Sequence, residues 1–135
     1  GNGDPEFVNV VPAGQWLNAY SFYADPTYEE TSLVVIRGKH FGKFEDVWLE
    51  CAGTLTDWKP VGTRVDYEYV RVDLSREGGP GQSFGDKTCR TGLQRMKSTG
   101  PFTATLWGWA FAASYAYPGG TATRKLVTTP LVPVQ

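Results

Sequence analysis

The chain reads as an all-β protein: an antiparallel β-sandwich, jelly-roll-like, of about eight to ten strands. Three observations predict this. Apolar and aromatic residues alternate with polar ones in short runs, as in Tyr67-Glu68-Tyr69-Val70-Arg71-Val72-Asp73-Leu74, where every second side chain shares a face of an extended strand. The 16 Gly and 9 Pro residues punctuate such runs, as turns between strands require. The third is the stretch from Trp107-Gly108-Trp109 to Tyr115-Ala116-Tyr117-Pro118-Gly119-Gly120, with five aromatics in eleven residues and a Pro-Gly-Gly stop. Counted by twos, Thr105, Trp107, Trp109 and Phe111 line one face of a strand, whereas a helix would scatter the rings.

Taken in order, residues 8–11 are short and apolar and stop at Pro12. Residues 16–23 form a strand with Trp16, Tyr20 and Phe22 on one face. Asp25-Pro26 opens a polar loop, and residues 32–37 are nearly all apolar, which predicts a central strand buried on both faces. Residues 38–43 connect it to 47–52, where Val47, Leu49 and Cys51 point one way and Trp48 the other. Residues 57–62 read as a turn or short edge piece, and 67–74 as a clean alternating strand. Residues 75–86, rich in Gly and polar side chains, read as the longest loop. Residues 89–97 form a strand ended by Ser98-Thr99-Gly100-Pro101, and 102–109 form another, which 110–117 continues or pairs with. Gly119-Gly120 makes a turn, and residues 122–134, with Pro130 and Pro133, suit an edge.

The length of 135 residues fits one domain with a single core. Residues 1–7 read as a cloning remnant and 8–135 as the domain, so a targeting segment could have been removed. Thirteen Lys and Arg face fourteen Asp and Glu, with no like-charge run longer than two. That balance argues against nucleic acid as partner, and the longest apolar run is too short for membrane insertion.

No residue set announces catalysis. His40 is the one histidine, set between glycines with no nucleophile motif beside it. Gly78-Gly79-Pro80-Gly81 lacks the Lys-Ser/Thr of a phosphate loop. Asp25, Glu29 and Glu30 share one loop and Glu45-Asp46 another. Solvated loop charge is the plain reading, and a Ca²⁺ site the next. The expectation is therefore no cofactor and no enzyme. The rival is a polysaccharide-acting enzyme with two paired carboxylates.

Cys51 and Cys89 lack the further ligands of a zinc site. Three readings stand: a disulfide first, then two buried thiols, then a reactive thiol. A bridge closing a loop of about 40 residues would stabilise the fold by about 4 kcal/mol in the chain-entropy treatment.

Core filling accounts for most of the five Trp residues. Trp48, Tyr67 and Tyr69, however, fall on the parity opposite the aliphatic residues of their strands. Either a second layer covers them, or they stand together on the outer face of one sheet. Arg71 shares that parity, and Arg beside Tyr and Trp is the make-up of a binding hot spot. Trp48, Tyr67, Tyr69 and Arg71 are the candidate binding residues.

The segments Val10-Val11-Pro12-Ala13-Gly14-Gln15-Trp16-Leu17, Asp25-Pro26-Thr27-Tyr28, Val47-Trp48-Leu49-Glu50-Cys51-Ala52-Gly53 and Trp107-Gly108-Trp109 with Ser114-Tyr115-Ala116-Tyr117-Pro118-Gly119-Gly120 resemble the N-terminal region of IgGFc-binding proteins. That region occurs in a vertebrate mucin-associated protein and in bacterial secreted or surface proteins. It is longer than this chain, which looks like its C-terminal portion or a reduced relative. The resemblance implies a secreted or cell-surface, non-catalytic binding or adhesion module. Its partner would be an extracellular glycan or protein, or neighbouring domains of a longer parent chain. It also implies a cysteine pair at places like Cys51 and Cys89, which supports the disulfide. The family's name reflects one vertebrate activity, attachment to antibody Fc, and that ligand does not transfer by resemblance.

Overall fold

The computed structural model describes residues 12–110 and the backbone of 113–118. The expected strand 8–11, Phe111, the Gly119-Gly120 turn and the stretch 122–134 lie outside the described residues. A 3₁₀ turn at Ala13–Gln15 leads into β1 (Leu17–Ala24), β2 (Glu30–Gly38), β3 (Val47–Leu49), β4 (Gly53–Thr54), β5 (Lys59–Pro60), β6 (Tyr67–Arg76), β7 (Gly79–Pro80), β8 (Ser83–Phe84), β9 (Lys87–Thr88), β10 (Gly92–Ala110) and β11 (Ala113–Pro118). Among the described residues every pairing is antiparallel, with nine strands in one sheet and β8–β9 as a separate hairpin. The fold is all-β and sandwich-like, as its alternation predicts.

β10 organises the whole. Residues 92–97 pair with β1, and residues 96–98 pair with β3 on the other edge. Residues 102–109 then pair with β2, and 105–110 with β11. The sequence predicts a break at Ser98-Thr99-Gly100-Pro101, yet the strand runs through it. Residues 99–101 have no partner in any of these registers, so the N–H that Pro101 lacks costs no ladder bond. β1 advances only from Ala19 to Leu17 while β10 passes from Lys97 to Phe102. Such a bulge bends the strand and curls the sheet into two layers that share β10.

The even-numbered residues of β10 face inward along both halves: Gln94, Met96, Phe102, Ala104 and Leu106 are buried. Tyr20 and Phe22 of β1, Leu33 and Val35 of β2, Val47 and Leu49 of β3, and Val72 and Leu74 of β6 complete one core. Tyr20 and Phe102 join the layers edge to face with ring centroids 4.9 Å apart. The Tyr20 hydroxyl also donates to the Phe102 carbonyl at 2.8 Å, so its polar tip is satisfied inside an apolar core.

Two further expectations change. β2 is central, but it is not buried on both faces. Thr31, Leu33 and Val35 are sealed while Ser32, Val34 and Ile36 are half-buried, because two layers leave each sheet an outer side. Residues 75–86 are not one long loop. β6 extends to Arg76 and turns through Glu77 and Gly78, both at positive φ, into β7. Gly81 then lies so close to β6 that a Cβ there would collide with the Asp73 carbonyl and Leu74 backbone. Only glycine permits that approach.

Cys51 and Cys89 form a disulfide, and no cysteine is free. The Cys89 N–H donates to the Gln82 carbonyl and the Gln82 N–H to the Asp73 carbonyl. The bridge thus ties the β3–β4 turn of one layer to the chain lying on β6 of the other. It closes the sandwich at the edge away from β10.

Candidate functional site

The outer face of the β6–β2–β10 layer follows from register, because residues paired across antiparallel strands project to the same side. Tyr69 pairs with Ile36, and Ile36 with Thr103; the next row is Arg71, Val34 and Thr105, and the next Asp73, Ser32 and Trp107. Glu30 and Trp109 make a further row. Their β6 and β10 members are odd-numbered, opposite to the buried Val72, Leu74, Ala104 and Leu106, although Thr103 in the first row is itself buried. Tyr69, Trp107 and Trp109 are 37%, 38% and 49% exposed, more than core packing would leave them. Two strand spacings, about 10 Å, separate β6 from β10, and six residues, about 20 Å, separate the rows of Tyr69 and Trp109 along the strands, so these rings and Arg71 share one face of the sheet.

Asp73 orders the charged part of that patch. It accepts Arg71 Nε at 3.2 Å through Oδ1 and Arg76 Nε at 2.9 Å through Oδ2. Both guanidiniums are more than half exposed, so these pairs set geometry more than stability. A recess of about 210 Å³ beside Tyr69 and Arg71 is completed by Lys59, Gln82 and Phe84 among others.

The four residues expected on one face do not all meet. Tyr69 and Arg71 share the patch just described. Tyr67 lies at its end, edge to face with Trp16 at 5.6 Å and under the Arg64 guanidinium at 4.9 Å. Both rings lie over Gly38, where a Cβ would touch them at 3.4 Å. Trp48 belongs to the other layer, between Lys97 of β10 and Thr54 of β4. The reason is topological. β3 joins β10 before its bend and β6 is reached after it through β2, so equal parity gives two outer faces instead of one. Trp107 and Trp109 are the residues that strand parity alone could not assign. Their register with Ser32 and Glu30 brings them to Arg71's side.

Trp48 lines an open cleft of about 580 Å³ at the bend of β10. Its walls carry Glu45, Asp46, Lys97 and Ser98, and the Lys97 ammonium stands 4.9 Å above the Trp48 ring. Behind this cleft Arg37 donates through Nη2 to Glu68 at 2.8 Å and through Nη1 to the Glu45 carbonyl at 2.8 Å. Its guanidinium lies 4.1 Å from the Trp58 ring centre, a buried-stem cation that fastens the 44–46 segment to the sheet.

The remaining polar candidates serve turns. His40 bridges to Lys43 around the Phe41-Gly42 turn, its ring 4.3 Å from that of Phe41. Asp25 accepts the Thr27 N–H at 2.8 Å and the Thr27 hydroxyl at 2.7 Å. The Thr27 N–H first, and the hydroxyl second, hold its carboxyl below the ordinary value of 3.8. Among the described residues no group of three or more His, Cys, Asp or Glu converges on a metal position. No helix there is long and apolar enough to cross a membrane.

A family model described as IgGFc binding protein matches residues 1–108. The chain belongs to this family. The match takes in the disulfide, the Trp48 cleft, the whole of β6 and β10 as far as Gly108. No curated protein and no solved structure matches the chain. The IgGFc-binding family is by its description one of binding proteins.

Proposed function

We propose that this chain is a non-catalytic extracellular binding module that recognises a protein partner with the outer face of its β6–β2–β10 layer. The observation that carries this is the register that unites Tyr69, Arg71, Trp107 and Trp109 on an exposed face while the other face of the same strands is sealed. Large rigid rings contribute contact area at low entropic cost, and Arg adds directional donors, the composition that dominates binding energy at protein interfaces. The family's name speaks of the Fc part of an antibody, itself a protein, and a disulfide suits a secreted or surface-displayed setting. The module acts without a cofactor, so a chelator leaves binding unchanged.

An array of extracellular proteins that includes immunoglobulin Fc, probed with the purified chain, tests the proposal. The wild type should bind at least one protein. Arg71→Ala and Trp107→Ala should each weaken that interaction about tenfold or more with little change in melting temperature. Binding that ignores both substitutions, or no binding to any member, would reject the proposal.

A further inference from the structure

We propose that the cleft at the bend of β10 is a saccharide subsite for a neutral glycan, separate from the protein-binding face. It gives the same extracellular module a second ligand class, and it rests on other residues. Trp48 supplies the apolar wall. Its neighbours Val47 and Leu49 are wholly buried, so the strand turns the indole outward and fixes it between Lys97 and Thr54. Polar groups surround it. Ser98 Oγ donates to the Asp46 carbonyl at 2.7 Å and Arg37 to the Glu45 carbonyl at 2.8 Å. The carboxylate-bearing segment is therefore held at two successive residues before any ligand arrives. Gly100 is buried at the same bend, where a Cβ would press on the Glu45 side chain at 2.9 Å. The absent side chain leaves Glu45 room to lie across the strand. The volume, about 580 Å³, lies within the range of small-molecule sites.

Charge selects the ligand class. A cation entering beside the indole meets Lys97, which already occupies the ring face at 4.9 Å. An anion meets Asp46 and Glu45, of which Glu45 is paired with Lys43 at 3.4 Å and Asp46 is in no ion pair among the described residues. A polyhydroxylated neutral ligand is opposed by neither sign. Each of its hydroxyls both donates and accepts, so the carboxylates and the ammonium can be used at once, while Ser98 Oγ stays committed to the Asp46 carbonyl and the Gly100 N–H. Its C–H groups can lie against the part of the indole that lines the cleft beside Lys97.

The test is a glycan array of neutral, sialylated and sulfated structures, followed by titration of the best neutral oligosaccharide with tryptophan fluorescence and calorimetry. Neutral glycans should bind. Trp48→Ala should weaken the titrated glycan about tenfold or more, and Asp46→Asn should weaken it less. Trp107→Ala should leave it unchanged. Asp46 is exposed, so Asp46→Asn and Lys97→Gln still test the cleft if Trp48→Ala does not fold. Four outcomes overturn the proposal: no glycan bound, anionic glycans alone bound, affinity indifferent to all three cleft variants, or release of reducing ends from the bound oligosaccharide, which would make the cleft an active site. A protein array that fails while the glycan titration succeeds rejects the protein-binding reading and leaves the saccharide subsite standing.

Discussion

In β10, residues 92–98 and residues 102–110 follow the same alternation and end with different surfaces. Both segments send even-numbered side chains into one core. The odd-numbered side chains of the first segment, Arg95 and Lys97, stand with Glu50 and Trp48. Those of the second, Trp107 and Trp109, stand on the side of Arg71 and Tyr69. The difference arises at the bulge around Pro101, where the strand leaves β3 and takes up β2. One strand with a fixed inside can thus display two chemistries, a charged and cleft-bearing face and a ring-rich one, because a bend changes the neighbours without changing the parity.

The largest effect is expected where the two segments meet. Phe102 is fully buried, and Phe102→Ala should lower stability by about 3–5 kcal/mol in chemical denaturation. A loss below about 1 kcal/mol would mean that the bend does not depend on the Tyr20–Phe102 contact. At the opposite edge, replacing both Cys51 and Cys89 by Ser should cost about 2–4 kcal/mol. Thiol titration of the denatured native protein should find no free thiol.

Next come the two surfaces themselves. In a crossed experiment, Trp107→Ala should impair protein capture and spare glycan binding, and Trp48→Ala should do the reverse. Trp107→Ala should shift stability by no more than about 1 kcal/mol, since an exposed ring contributes little to folding. If either substitution impaired both ligands, the separation of the faces would fail. His40→Ala, beside the bend but outside both surfaces, should change stability by about 0.5 kcal/mol or less and leave both ligands bound.

The smallest effect concerns Asp25, remote from the bend in sequence. Its folded carboxyl titrates below the ordinary 3.8, so the stability it contributes is fully present above that value. It is lost as pH falls through the lowered folded value. The difference in melting temperature between wild type and Asp25→Ala should therefore be small near neutrality and shrink further on acidification through the lowered folded value. A difference that grows on acidification would reverse the sign and reject the Thr27 contact as its cause.

Much of the strand content was legible because parity is a local property. The split of Val70, Val72 and Leu74 from Tyr67, Tyr69 and Arg71 needs only alternating side-chain directions along an extended chain, and the half-burial of β6 follows it. The turn at Asp25-Pro26 was legible for the same local reason. The hairpins within residues 75–86 were not, because Gly-rich polar sequence reads as loop whether or not its backbone pairs. Nor was the passage of β10 through Gly100-Pro101, since a proline ends a strand unless no neighbour needs its N–H.

The sequence by itself determined which side chains of each strand oppose one another and where most turns fall. Only the tertiary structure decided which strands stand side by side. That choice joined Cys51 to Cys89, moved Trp48 away from Tyr69, and put Trp107 and Trp109 on the face that carries Arg71. The physical reason is that parity is set by bonds between neighbouring residues, whereas pairing is set by burial and hydrogen bonding between residues distant in the chain, and it depends on which curl of the sheet closes one core.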